Sequence, residues 1–483
     1  MSKFSEKCKE ILRENGTNVY QLAIHASLER TTLQRMVTGK RLPPLGFLKS
    51  FCQALRLSKF EEEELFELYR IESMGEDAYR NEQSILHLLS HLRKLEEKDS
   101  FYNTKITSIQ YQNMDLLSNT SSNIYDTELL MQYILKKEFS NDTEGFIYTN
   151  LPGTYESFLH SLELFYRQFQ KKLCVHHLIH FQINSSLSSE NLDMMHSVLL
   201  LYISNKLDYQ VFYYYSRLNK NDILYMCFPY YIITSRHVLL MSSDFKMGII
   251  LSEKDIIKQY IHTFRKNCSL AVPLFQKISH LQGSMSIYKT DSIPSKSDIH
   301  YFHYQPCYVD LVGEQGIMER IKHFLPEFYE IGKQLVQSII FKSNFPNLCF
   351  FSEQGLKEFC RTGKYYGQIG TFFPPLTVEE RIKALKYFQS TPTFHNNRMI
   401  KESCSISFPK HLYFELLGTT SLQIIRIENL EIIDFITIEE SSICEAFYHF
   451  FQTLQSSKYV YSAEETYSLI SQCIDKLTQQ SLS

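Results

Sequence analysis

The chain has 483 residues, 44% hydrophobic and 21% charged, with a formal net charge of −3. That composition excludes a disordered or collagen-like chain, and the length suggests about three domains. No apolar run approaches the roughly 18 residues a membrane-spanning helix needs, and the opening MSKFSEKCKE lacks the apolar stretch of a signal peptide, so a cytoplasmic protein with no membrane partner is expected.

In chain order, the spacing of Phe4, Cys8, Ile11 and Leu12 predicts a first amphipathic helix over 4–14, stopped by Asn15 and Gly16. Asn18 is a good N-cap for a second helix, with Gln21 at the third helical position. Leu22 faces inward, and small Ala23 permits close approach of the next helix. A turn at Ala26-Ser27-Leu28 leads to a third helix, about 30–38, ended by Gly39 in the left-handed conformation. Leu33 and Met36 form its inner face. Arg30, Thr31, Gln34 and Arg35, at i, i+1, i+4 and i+5, form the outer one.

This stretch, NVYQLAIHASLERTTLQRMVTGKR over residues 18–41, resembles the Cro/C1-type (XRE family) helix-turn-helix. The resemblance covers about residues 4–70. It implies an all-α five-helix DNA-binding domain whose third helix enters the major groove, a double-stranded operator as partner, and a homodimer on half-sites one turn apart. Carried onto this chain, base reading falls to Arg30, Thr31, Gln34 and Arg35, and phosphate contacts to Asn18, Thr32, Lys40 and Arg41. The chemistry agrees: Arg matches the O6/N7 edge of guanine, Gln matches adenine, and the Thr methyl can meet a thymine methyl. Three positions depart from the family pattern. Ser27 stands where glycine is usual at a positive φ, Glu29 where serine usually caps helix three, and Val37 where glutamate is frequent. Residues 1–57 carry ten lysines and arginines against four glutamates, a local net of +6 in a chain of net −3, the footprint of a polyanion partner. Pro43-Pro44 opens a fourth helix bearing Leu45, Leu48, Cys52 and Leu55, and a fifth is expected over 61–70. Val37 and Glu29 remove no DNA contact, although a carboxylate at Glu29 repels a nearby phosphate.

Residues 71–144 read as a helical linker. A helix over 76–98 carries a narrow stripe of Ile85, Leu88, Leu89, Leu92 and Leu95, which suits either a dimer seam or packing on the chain itself. A polar stretch with LSNTSSN at 117–123 precedes a helix at 126–137. From 145 the period changes. Strands at 145–150, 173–181, 209–215, 223–234 and 237–242 alternate with helices at 155–169, 190–205 and 252–266, which implies an α/β (α+β) domain over 145–280. The Ser-, Gly- and Pro-containing segment 281–300 reads as a hinge. A second α/β domain over 301–483 is expected to sense a signal or self-associate, with helices at 318–339, 352–361 and 377–388 and strands near 411–416 and 422–427. Residues 239–264 and 422–451 share a strand–turn–strand–helix order, with Ile256, Tyr260 and Phe264 echoed by Ile443, Phe447 and Phe451, as two similar units would.

Two clusters bear on chemistry. His237, Leu239 and Asp244 have the spacing of the phospholipase D motif HxKxxxxD with its lysine absent, so that activity is not expected. Cys174, His176, His177 and His180 are the densest ligand-type cluster. On a strand Cys174, His176 and His180 share a face, as a metal site would use, but a half-exposed strand gives the same pattern. Glu379-Glu380-Arg381 follows Pro374-Pro375 as a charged first turn of a helix. No Walker A, GxGxxG, GxSxG or HExxH motif occurs, and the eleven scattered cysteines contain no CxxC. The sequence therefore predicts no catalytic site, cofactor or metal, and a DNA-binding transcriptional regulator with room for a small-molecule or peptide effector. The alternative is an enzyme or protein-interaction module tethered to the helix-turn-helix. Strand-like segments and the lack of a 34-residue repeat argue against a tetratricopeptide array.

Overall fold

The structure is a computed structural model that describes residues 2–97, 118–142, 144–183, 188–204, 206–215, 227–278, 298–330, 347–366, 373–404, 408–428 and 431–482, with a few isolated residues between them. The chain divides into two units, Met1–Gln83 and Ser84–Ser483. It is an α+β protein with two mixed sheets. Among the described residues, no helix is long and apolar enough to cross a membrane.

The first unit is helical: α1 Lys3–Glu14, α2 Val19–His25, α3 Arg30–Val37, α4 Leu45–Leu55 and α5 Lys59–Met74, followed by the start of α6 Glu76–Glu97. Local chemistry sets the boundaries. Ser2 accepts from Ser5 N at α1, and Asn18 from Gln21 N at α2. Ser58 and Glu61 form a full capping box at α5. The core is Phe4, Cys8, Ile11, Leu12, Leu22, Leu33, Met36, Val37, Leu48, Phe51, Cys52 and Leu65 with small Ala23. Val37 is thus a core residue, and Leu45, expected inside, is exposed while Phe51 is buried. Tyr69 closes the bundle, donating to Pro43 O at 2.8 Å and meeting Phe4 edge-on at 5.6 Å.

In the second unit the chain runs β1 Thr120–Ser121, α7 Ile124–Phe139, β2 Phe146–Thr149, α8 Glu156–Phe169, β3 Cys174–Phe181, α9 Ser188–Ile203, β4 Asp208–Tyr215, β5 Tyr230–Ile233, β6 Val238–Met241, β7 Gly248–Leu251, α10 Lys254–Cys268, β8 Val272–Pro273 and β9 Gln276–Ile278. It continues through β10 Ile299–His303, α11 Tyr308–Phe324, β11 Asn347–Ser352, α12 Glu353–Thr362, α13 Val378–Ser390, β12 Asn397–Ile400, β13 Leu412–Leu417, β14 Ser421–Glu428, β15 Glu431–Ile438, α14 Ser441–Leu454 and α15 Ala463–Leu482.

The two sheets repeat one topology. The first has the order β1-β7-β6-β5-β2-β3-β4-β8 and the second β12-β11-β10-β13-β14-β15-β9. In each, three parallel strands (β2, β3, β4; β10, β11, β12) continue from their first member into an antiparallel meander (β5, β6, β7; β13, β14, β15). The echo read at 239–264 and 422–451 is the last hairpin and helix of this repeat. Its inner positions differ: Ile257, not Ile256, is buried beside Phe264, whereas Ile443, Phe447 and Phe451 are all buried.

The halves are not separate domains. One core contains Ile179 and Leu199 of the first half, Phe414 and Phe447 of the second, and the α6 stripe residues Ile85, Leu88, Leu89 and Leu92. This corrects two expectations. The α6 stripe is no dimer seam, because its own chain covers it, and residues 84–97 and 120–139 belong to the fold rather than to a linker. The Leu95 side chain lies outside the described residues. The chain passes between sheets at buried Leu274 and Phe275, between β8 and β9, so β9 joins the second sheet although it precedes the expected hinge. Residues 281–297 of that hinge lie outside the described residues, as do residue 117 of the polar stretch and 223–226 of one expected strand. The helix expected at 318–339 is instead Tyr308–Phe324, with residues 338–339 again outside; Gly313 at φ 76° interrupts it and hides its periodicity.

Candidate nucleic-acid interface

The pair α2–α3 is joined by the four residues Ala26–Glu29. Ala26 N donates to Leu22 O at 2.9 Å and Leu28 N to Ala23 O at 3.1 Å. Between them Ser27 adopts φ 52°, the left-handed conformation that glycine adopts without strain. A side chain there costs about 1–2 kcal/mol, partly offset by the greater freedom a glycine has in the unfolded chain. Ser27→Gly is therefore expected to stabilise the first unit by roughly 0.5–1 kcal/mol in urea unfolding followed by circular dichroism. A loss of stability would show that the serine hydroxyl matters more than the backbone.

On α3 the burial is one-sided. Leu33 is 0% and Met36 1% exposed, whereas Arg30, Thr31, Gln34 and Arg35 are all exposed. The helix ends on Gly39 at φ 70°, with Gly39 N donating to Met36 O and Lys40 N to Arg35 O. Lys40 and Arg41 follow on the surface. Among the described residues, Arg35, Lys40 and Arg41 have no ion-pair partner, so their charge is free to meet phosphate. Lys7 differs: it lies between Glu10 at 3.3 Å and Glu64 at 3.1 Å. Three residues of the acidic run at 61–64 are likewise engaged within the unit, Glu61 at the α5 cap, Glu64 on Lys7 and Glu63 3.9 Å from Lys59.

Two contacts on this surface were not apparent from the sequence. The Arg30 guanidinium lies over the exposed Tyr20 ring, 5.2 Å from its centroid, which restricts the arginine without consuming its donors. Thr32 donates its hydroxyl to the Glu29 carboxylate. Of the four expected phosphate anchors, Thr32 is the one whose proton is already used. Asn18 spends only its carbonyl oxygen on the α2 cap, which leaves its amide hydrogens outward. Glu29 sits at the N-cap of α3 without making a side-chain capping bond.

The other sequence clusters do not assemble. His237 and Asp244 lie at opposite ends of β6, and Leu239 between them is fully buried. Asp244 accepts from Ser242 Oγ at 2.7 Å and Lys246 N at 3.2 Å, and both bonds hold its carboxyl below the usual range. His237 meets Tyr133 edge-on at 6.1 Å. Glu379-Glu380-Arg381 is structural. Glu380 completes a capping box with Thr377 and pairs with Arg320 at 2.9 Å, while buried Arg381 donates to Thr377 O and Cys360 O.

On β3 the histidines divide between two faces. His177 is fully buried. A carbonyl only accepts, so Nε2–H donates to Leu151 O at 2.8 Å and Nδ1 accepts from Tyr209 OH at 2.7 Å. On the other face His176 stacks on Tyr148 at 5.1 Å and His180 tilts against Tyr214 at 5.3 Å. Cys174, His176, His177 and His180 form no metal-holding group among the described residues; His87, His91 and His196 do.

Burial holds His177 down at about 4 and His303 at about 3, below the usual 6.5. Both are neutral in the fold, while the unfolded chain protonates below about pH 6.5. Their stabilisation is present above pH 6.5 and is lost as pH falls towards 4 and 3, on the order of 3 kcal/mol for His177 and 5 kcal/mol for His303 at the limit. The melting temperature is expected to drop steeply between pH 7 and 5, and less so in His177→Gln. An equal slope in the variant would exclude His177 as a contributor.

No protein-family model matches the chain, and no curated protein matches it. Among solved structures it is similar to a phosphatidylserine synthase of Haemophilus influenzae Rd KW20, with 9% identity over 71% of this chain and 86% of that one, TM-score 0.24. It is also similar to the polyphosphate kinase of Porphyromonas gingivalis, with 8% identity over 74% of this chain and 54% of that one, TM-score 0.21. Likeness at that level carries no argument about activity.

Proposed function

We propose that the protein is a sequence-specific DNA-binding transcriptional regulator of the Cro/C1 (XRE) type that lays α3 in the major groove. The observation that carries the reading is the one-sided α3: Arg30, Thr31, Gln34 and Arg35 all face solvent while Leu33 and Met36 are buried. The unpaired Lys40 and Arg41 beside it, and the left-handed Ser27 between α2 and α3, fit the same reading. In this arrangement Arg30 and Arg35 donate to guanine edges, Gln34 addresses adenine, and Thr31 offers its methyl to thymine. Lys40, Arg41 and the Asn18 amide hold the backbone, with Thr32 available after it releases Glu29. Two copies on adjacent half-sites one helical turn apart would read a near-palindrome. The second unit, in a cytoplasmic protein, serves self-association or reception of an effector and performs no catalysis.

The test is selection of bound DNA from a random pool by the full-length protein at low salt. Enrichment of a two-fold-related motif is the expected result. Retention of DNA without enrichment would reject sequence-specific reading, and no retention would reject DNA as the partner.

A further inference from the structure

Three histidines meet on the second unit away from α3. His87 and His91 are four residues apart on α6 and so share one face. His196 comes from α9. Ring centroids are 4.1 Å apart for His87 and His91, 5.0 Å for His87 and His196, and 5.1 Å for His91 and His196. One nitrogen from each ring lies within 4.8 Å of the other two. His91 Nδ1 and His196 Nε2 are 3.0 Å apart.

We propose that His87, His91 and His196 form a binding site for one divalent transition-metal ion of the zinc class, held between α6 and α9.

The geometry is close to what such an ion needs. Zinc binds imidazole nitrogen at about 2.0–2.1 Å, so tetrahedral ligands stand about 3.3 Å from one another. One pair is already nearer than that, and side-chain rotation of exposed His87 closes the rest. The scaffold beneath is fixed. Leu88 and Leu92 of α6 and Leu192, Met195 and Leu199 of α9 are buried in one core. Ser84 donates to Asp193 Oδ1 at 2.6 Å, one turn before His87 on α6 and one turn before His196 on α9. Three neutral imidazoles suit zinc, copper, nickel or iron and do not suit magnesium or calcium. The exposure gradient, from exposed His87 to buried His196, gives an entry path and leaves a fourth position for water or an anion. Lys94 is the nearby cation that opposes the charge, and it is exposed.

The site is independent of the DNA-binding reading, and its test involves no DNA. Full-length protein is stripped with EDTA, desalted and titrated with cobalt(II) at pH 7.5, then with zinc by calorimetry. One cobalt per chain is expected, with the strong visible absorption of a tetrahedral complex, displaced by one zinc. His87→Ala, at an exposed position, is expected to weaken zinc more than about 100-fold, with unchanged melting in EDTA. His196→Gln should do the same, and exposed His262→Ala on α10 should leave binding intact. Zinc should raise the melting temperature of the wild type and not of His87→Ala. Absence of stoichiometric binding by the wild type, or full-strength binding by His87→Ala, would overturn the proposal.

Discussion

A double variant, Arg30→Ala/Arg35→Ala, is expected to lose operator selection while keeping most of its affinity for bulk DNA. Each bidentate Arg–guanine pair discriminates by about 1–3 kcal/mol, so the pair together is worth roughly 30-fold to 10⁴-fold in preference for operator over scrambled DNA. Both side chains are exposed on the face opposite Leu33 and Met36, so alanine leaves the core untouched. Arg30 adds a second component. Its position over Tyr20 restrains the guanidinium, and on the proposed reading that would reduce the ordering cost of binding DNA. The contrasting variant is Lys40→Ala/Arg41→Ala. These charges follow the α3 C-terminus and are assigned to phosphate, so all sequences should weaken alike and the slope of log K against log salt should fall by about 2. The measurement is fluorescence anisotropy on both DNAs at several salt concentrations. Equal loss on operator and scrambled DNA in the Arg30/Arg35 variant would remove α3 as the reading element.

Much of the first unit is legible because its signals are local. Asn18 caps α2 and Gly39 ends α3, each acting within a turn of itself, whereas the Ser58–Glu61 box that starts α5 at Lys59 lies ahead of the start expected at 61. The outward set on α3 follows from helical spacing alone. In the second unit, strands with period-two burial such as β3 and β4 were readable. Short central strands such as β10, with every residue but Tyr301 buried, carry no alternation to read. The candidate metal centre shows how sequence density misleads. Four ligand-type residues crowd 174–180, yet strand alternation turns His177 into the core and sets His176 and His180 against aromatic rings. His87 and His91 were visible at helical spacing, but their third member is 105 residues away and arrives only through the packing of α6 on α9. The repeated sheets were faintly legible at 239–264 and 422–451, because only that hairpin and helix keep similar spacing.

The second large effect concerns Gly355→Ala, which is expected to unfold the second unit or lower its stability by more than about 4 kcal/mol. Gly355 stands in the first turn of α12, where the chain leaves β11. A Cβ there would lie 1.8 Å from Tyr304 O and 2.7 Å from its carbonyl carbon, both backbone atoms that no rotamer change can move. Tyr304 is fixed from several sides. Its carbonyl accepts from Ser352 N at 3.2 Å and Ser352 Oγ at 2.8 Å, while Ser352 Oγ in turn accepts from Gly355 N at 2.8 Å. Its hydroxyl donates to Glu358 Oε2 at 2.6 Å, and Lys410 pairs with the same carboxylate at 2.9 Å. Relief by moving Tyr304 would therefore break the α12 cap and pull on β10, which pairs with both β11 and β13 at the centre of its sheet. Gly46 on α4 is the control, because nothing lies within 4 Å of a Cβ built there. Gly46→Ala should leave stability unchanged or raise it by up to about 1 kcal/mol, through helix propensity. Thermal unfolding followed by circular dichroism and tyrosine fluorescence separates the two, since the chain has no Trp. The first unit should retain its helices in Gly355→Ala, seen as a protease-resistant N-terminal fragment. Wild-type melting of Gly355→Ala would mean that α12 does not approach the Tyr304 carbonyl as closely as this structure places it.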